Sequence, residues 1–197
     1  GIVRALADAL DYLHGKGIIH RDLSPNNILI DSNDQVKILD FGIALVESME
    51  PITLSVEIHG TPSYMAPETL RQERASPATD IYALACITYE LLTGQPLFNI
   101  EHENQAYYLH VVRGASFPSE WRAGIPPRVQ VILSNALQKL PQQRYRSAGE
   151  FYRALEGLNR GEIFLPKSTS PETGPAEHQK LWLNYTSVRQ VRRLLYS

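Results

Sequence analysis

A chain of 197 residues, 43% hydrophobic and 20% charged, has the composition of an ordinary globular protein and the length of one domain, or one domain with a tail. Its 19 Lys and Arg against 21 Asp and Glu leave a formal charge of −2, which excludes the electropositive footprint of a nucleic-acid-binding domain. Cys86 is the single cysteine, which excludes an internal disulfide and fits a reducing, cytoplasmic setting.

Ile2, Leu6, Leu10 and Leu13 recur at helical spacing with Arg4, Asp8 and Asp11 on the other face, predicting an amphipathic helix over 2–14 that Gly15 and Gly17 stop. Gly1 leads straight into this pattern, as in a piece of a longer chain, and the start lacks the basic-then-apolar order of a signal peptide. A polar loop, His20-Arg21-Asp22-Leu23-Ser24-Pro25-Asn26-Asn27, follows. Ile28-Leu29-Ile30 and Val36-Lys37-Ile38-Leu39 then read as a hairpin around the turn Asp31-Ser32-Asn33-Asp34, with Asp40-Phe41-Gly42 just beyond it.

Residues 43–68 show no sustained periodicity and are rich in Ser, Thr, Pro and Gly, the signature of a long functional loop. Asp80 to Leu92 is an apolar helix closed by Thr93-Gly94; at about twelve residues, with Thr88 and Glu90 inside it, it is too short to span a bilayer. Helical patterns return at 101–113, 127–139 and 147–158. This divides the chain into a domain over 1–165, a Pro/Ser/Thr/Glu/Gly linker over 166–180, and a basic amphipathic tail helix over 181–197. The tail carries Arg189, Arg192 and Arg193 and no acid, so it either packs on the domain or docks on a partner or an anionic membrane surface.

The polar loop and the residues after the hairpin carry the chemistry. Asp22 is a carboxylate able to accept a hydroxyl proton, while Asn27 and Asp40 offer oxygens suited to hard cations. A hairpin between Asn27 and Asp40 is a physical means of bringing all three to one edge. Alone, Asp22 and Asn27 would read as turn-capping residues.

In order along the chain, these residues resemble the eukaryotic-type (Hanks-type) protein kinases, specifically their larger C-terminal lobe. His20 to Asn27 match H-R-D-L-x-x-x-N, Asp40-Phe41-Gly42 match D-F-G, and Ala66-Pro67-Glu68 match A-P-E. Gly60 to Met65 resemble the peptide-docking segment in its Ser/Thr-specific form, and Asp80-Ile81-Tyr82 the start of the central buried helix. The wording of the loop looks more bacterial than animal. The implied fold is a protein-kinase-like C-terminal lobe, mainly α with a short β-hairpin at the catalytic loop, and with the N-terminal lobe absent.

The resemblance implies ATP and Mg²⁺ as cofactors and a protein Ser/Thr hydroxyl as acceptor. It makes Asp22 the catalytic base, Asn27 and Asp40 the Mg²⁺ ligands, Thr61 a support for the loop, and Leu29 a floor for the adenine. His20 and Phe41 become members of an internal apolar column, Asp80 a buried scaffold carboxylate, and Glu68 the ion-pair partner of Arg144. Arg21 beside the base implies gating by loop phosphorylation, with Thr53 and Ser55 as acceptors. The histidines His14, His59, His102, His110 and His178 show no metal-ligand spacing and receive no role.

Two departures bear on function. Ser24 stands where Ser/Thr kinases usually carry a lysine, so a hydroxyl replaces a positive charge. No Gly-rich phosphate loop or strand lysine is visible. The chain is therefore expected to be inactive unless a further lobe, or a partner covering that lobe's face, completes it. A second reading from a different class stays open: a non-catalytic kinase-like module that binds substrates or partners.

Overall fold

A computed structural model describes residues 1–31, 35–40, 45–46, 61–102, 104–121 and 124–160. Phe41, Thr53, Ser55, the linker 166–180 and the tail 181–197 lie outside the described residues.

Helix α1 (Ile2–Gly15) buries Val3, Leu6, Ala7 and Leu10; of the stripe expected from its spacing, Leu6 and Leu10 are buried and Ile2 and Leu13 half-buried. It ends one residue later than the sequence suggests: Gly15 is still helical, and Gly17, at φ 71°, makes the turn out. Strand β1 (Ile18–Ile19) pairs antiparallel with β4 (Leu45–Val46). Strands β2 (Ile28–Ile30) and β3 (Val36–Ile38) form the hairpin, in register Ile28 to Ile38 and Ile30 to Val36. Asp31 closes it, its Oδ1 accepting the Gln35 N–H at 3.0 Å. The Leu39 N–H then donates to the Asn27 carbonyl at 2.8 Å, extending the pairing to the edge of the polar loop.

The segment expected to be irregular contains three short elements in its described part: strand β4, a 3₁₀ turn, Pro62–Tyr64, and helix α2 (Pro67–Leu70). Helix α3 (Pro77–Thr93) is the axis of the domain, with an unbroken buried run from Thr79 to Thr88. It begins earlier than the apolar pattern suggests because Pro77 suits the first helical turn and the Ser76 N–H donates to Thr79 Oγ1 at 3.0 Å. It ends at Gly94, whose φ of 76° lets its N–H reach the Glu90 carbonyl.

The pattern at 101–113 is not one helix. Helix α4 (Asn104–Tyr107) passes into a π-helical stretch, Tyr108–Arg113, whose wider turn carries His110 inward to full burial. The pattern at 127–139 is helical as α5 (Arg128–Ala136), and α6 (Ala148–Arg160) follows. Helices α1, α5 and α6 surround α3 and share with it one core, including Leu6, Leu84, Leu133, Phe151 and Leu155. No described helix is long and apolar enough to cross a membrane.

Candidate active site

Asp80, at the start of α3 and 1% exposed, organises the polar loop from below. Its Oδ2 accepts the His20 N–H at 3.0 Å and its Oδ1 the Arg21 N–H at 2.9 Å. The His14 Nε2–H donates to Oδ2 as well, at 2.7 Å. A buried carboxylate must be matched by donors, and Asp80 has three. In return it holds Arg21 at φ 71°, a left-handed conformation uncommon for a residue with a side chain. That turn directs the next residue, Asp22, out of the core.

His20 is completely buried, and its Nε2–H donates to the Leu39 carbonyl at 3.1 Å. This bond and the Leu39–Asn27 bond fasten the end of the hairpin to the loop on both sides. Asp40 follows at φ 57°, exposed at the edge so formed. At the loop before the hairpin, Asp22, Ser24, Asn27 and Thr61 meet.

Asp22 is held from two directions. Its Oδ2 accepts from Asn27 Nδ2 at 3.0 Å, and its Oδ1 accepts the Thr61 N–H at 3.0 Å. Asn27 Nδ2 also donates to the Asp22 carbonyl at 2.8 Å, so the amide nitrogen is committed inward and Oδ1 is left as an oxygen donor. The Asn27 N–H donates to the Ser24 carbonyl, closing a 3₁₀ turn for which Pro25 presets the backbone. Ser24 is 0% exposed, and its Oγ accepts from Thr61 Oγ1 at 3.1 Å. This hydroxyl therefore faces the 61–64 turn. Among the described residues, no three His, Cys, Asp or Glu side chains converge on a metal position. The donors at this edge are amide and carboxylate oxygens, the chemistry of hard cations.

Below the turn, Arg144 and Glu68 form a buried bidentate pair, Nη1 to Oε1 and Nη2 to Oε2, both 2.7 Å. Thr79 Oγ1 donates to the same carboxylate at 2.9 Å, and Arg144 donates from Nε to the Gln138 carbonyl and from Nη1 to that of Ala78. Tyr64 is anchored separately, its hydroxyl donating to Glu90 Oε2 at 2.6 Å. Burial and the Glu90 carboxylate push the Tyr64 phenol well above its ordinary range.

On the surface, Leu29 and Ile30 (each 46% exposed) and Leu39 are exposed apolar residues of the hairpin, and Tyr12 of α1 is exposed as well. Arg21 is half-buried, and its Nε has no partner among the described residues.

Two histidines left without a role have one in the fold. His14 supplies the third donor to Asp80, and His110 bridges α3 and the 61–64 turn. Neither lies near its partner in sequence, so spacing carries no signal for them. The one available cue was Asp80 itself, a carboxylate in an apolar helix that needs donors from elsewhere.

Residues 1–153 match the family model of the protein kinase domain. The chain is 36% identical over 163 residues to serine/threonine-protein kinase PknB of Mycolicibacterium smegmatis, a match covering 82% of this chain and 26% of the relative. It is 40% identical over 174 residues to a probable serine/threonine-protein kinase PknB of Bifidobacterium longum, covering 87% and 25%. Similarity to serine/threonine-protein kinase PknD of Mycobacterium tuberculosis is 33% over 192 residues, covering 90% and 29%. The chain thus spans about a quarter of the length of the curated relatives it matches.

Proposed function

This chain belongs to the protein kinase family, and we propose that it forms the C-terminal, catalytic-loop lobe of a protein serine/threonine kinase. The observation that carries the reading is the two-sided fixation of Asp22, by Asn27 from within the loop and by Thr61 from the turn beyond it. A general base must be aimed before it can work, and phosphoryl transfer relies chiefly on positioning and charge relief. Asp22 takes the proton of the acceptor hydroxyl. Asn27, through Oδ1, and Asp40 would hold Mg²⁺, and Leu29 would supply an apolar contact for the adenine. Bound there, Mg²⁺ and ATP supply the transferable phosphoryl group and neutralise its charge.

Arg21 is the gate in this reading. Its Nε, without a partner among the described residues, and its place beside the base suit a phosphate on Thr53 or Ser55. Arg21→Gln then makes activity independent of loop phosphorylation; activity that still rises on phosphorylation refutes the gate. The exposed Leu29, Ile30 and Leu39 suit coverage by a second lobe or a partner. The purified chain accordingly binds a hydrophobic-surface dye, and a Leu29→Asn, Ile30→Asn variant binds less. A chain that does not bind the dye overturns this.

The function is tested by phosphate transfer from labelled ATP to a Ser/Thr protein substrate. The product of the complete reading frame is compared with its Asp22→Asn variant and with the 197-residue chain alone. Transfer by the complete product that depends on Asp22, with none by the chain alone, is the expected result. Absence of transfer by the complete product leaves the non-catalytic binding module as the reading, and transfer that survives Asp22→Asn overturns Asp22 as the base. Ser24 is the observation favouring that alternative, because a buried hydroxyl brings no positive charge to a transferring phosphate.

A further inference from the structure

The turn Pro62–Tyr64 is fastened at two points. Tyr64 reaches Glu90 near the end of α3. Pro62 is fastened by His110, which arrives from the π-helical stretch and is 0% exposed. A carbonyl can only accept, so the 2.9 Å contact between His110 Nε2 and the Pro62 oxygen fixes the proton on Nε2. Nδ1 must then be an acceptor, and the Tyr82 hydroxyl of α3 donates to it at 2.9 Å. Phe98 lies against the ring at a centroid distance of 4.0 Å, and the other face of this cluster ends at Arg144, whose guanidinium sits 4.9 Å from the Tyr82 ring centroid. A neutral imidazole with one committed donor and one committed acceptor therefore joins the central helix to the turn. The Pro62 carbonyl is also the acceptor of the Met65 N–H that closes the turn, at 3.3 Å.

We propose that His110 is a positioning residue for the substrate-docking turn: through its single Nε2–H···O bond it sets where Pro62–Tyr64 stands relative to α3. Protein substrate, and not nucleotide, feels its loss. The substrate part rests on the functional reading above; the tether itself does not. A purely packing residue would be replaced by shape alone. His110 would be replaced only by a side chain that presents a donor where Nε2 stands.

Two amide variants separate these cases. Gln extends its amide nitrogen to about the Nε2 position, whereas Asn reaches only the Nδ1 position, and both lose the same aromatic contact with Phe98. Amide hydrogen exchange on the 197-residue chain reads the tether directly. With His110→Asn, the Met65 amide exchanges on the order of tenfold faster while the α3 amides stay protected. With His110→Gln, Met65 exchange stays close to that of the unsubstituted chain. Equal exchange in both variants, or no change in either, overturns the proposal. Should His110→Asn fail to fold, His110→Leu carries the test. It fills much of the same buried space but presents no donor to the Pro62 carbonyl, so Met65 exchange rises; unchanged exchange overturns the proposal. In the product of the complete reading frame, His110→Asn raises KM for a protein substrate about five- to tenfold, the scale of one hydrogen bond. KM for ATP and kcat hold, and Gln restores the protein KM. Failure of all protein phosphorylation sinks the functional reading and leaves the exchange result to decide the tether. Equal loss of kcat in both variants sinks the positioning role.

Discussion

Arg144 and Glu68 lie 76 residues apart in the chain and meet with both terminal guanidinium nitrogens on the two carboxylate oxygens, side chains almost completely out of water. The pair has further partners: Thr79 on the carboxylate, the Gln138 and Ala78 carbonyls on the guanidinium. Such a pair gains little net stability over an apolar substitute, because desolvation offsets most of the attraction, but breaking it strands a buried charge. Arg144→Met is therefore expected to destabilise the chain by about 3–5 kcal/mol, read as a fall in the urea midpoint. Adding Glu68→Leu to Arg144→Met recovers part of that loss. Additive losses in the double variant would contradict this account.

The bond between Thr61 Oγ1 and Ser24 Oγ makes a second, smaller prediction. Thr61→Val keeps the shape and the backbone donor to Asp22, yet leaves the buried Ser24 hydroxyl without this partner. The cost is about 1–3 kcal/mol by the penalty for an unmet buried polar group. Thr61→Ser keeps the hydroxyl and costs less than Thr61→Val. Equal unfolding midpoints for the Val and Ser variants would show that the hydroxyl contact does not matter.

Burial lowers the His110 pKa from 6.5 to about 4, against the smaller opposing effect of its bond to the Pro62 carbonyl. The sign of the consequence follows from proton counting. Between pH 4 and 6.5 the unfolded chain binds a proton at this imidazole and the folded chain does not, so stability rises with pH across that window. On acidification the contribution is present above 6.5 and is lost by about 4, a fall on the order of 3 kcal/mol at about 1.4 kcal/mol per pH unit. Carboxylates also titrate below pH 5, which makes a difference measurement necessary. Unfolding free energy against pH for the unsubstituted chain and for His110→Gln, which cannot titrate, should diverge between pH 6.5 and 4. Parallel curves would refute the assignment.

What the sequence made legible follows from the range over which its signals act. The stripe of α1, the apolar run of α3 and the hairpin around Asp31 are local patterns, and the structure has them within a few residues of the expected limits. The stretch 101–113 reads as helical and is so from Asn104 to Arg113, but a short apolar pattern does not tell which backbone bonding closes the turns, and the wider i→i+5 bonding takes over at Tyr108. The loop from His20 to Asn27 and the residue Asp40 were visible as an ordered motif. The resemblance named Thr61 and Asp80 as supports, but spacing alone did not give the contacts that aim the loop. Thr61 reaches Asp22 and Ser24 across 39 and 37 residues, and His14 reaches Asp80 across 66. Such bonds are set by packing of the core, and no spacing rule encodes them.

The junction of α1 with α6 offers the most specific test of that packing. The first three N–H groups of α6 have no partner within the helix and are satisfied from outside it. Asp11 of α1 accepts from Ala148 and Gly149, at 2.8 and 3.0 Å, and Ser147 Oγ accepts from Glu150 at 3.0 Å. A negative carboxylate at this end also meets the positive pole of the helix. Asp11→Ala is thus expected to cost about 1–2 kcal/mol, as loss of a helix cap does. Gly149 lies where the carboxylate approaches closest, and a Cβ there would stand 2.5 Å from Asp11 Oδ2. In an open helix, Gly→Ala stabilises by up to about 1 kcal/mol. Here the added methyl displaces the cap, so Gly149→Ala should lower stability by about 1 kcal/mol. The coupling decides the matter. With Asp11 already replaced by Ala, nothing remains for the methyl to displace, and Gly149→Ala should become neutral or stabilising. Urea unfolding of the four chains in this double-mutant cycle checks it. A Gly149→Ala effect of the same sign and size in both backgrounds would show that the carboxylate does not govern this position.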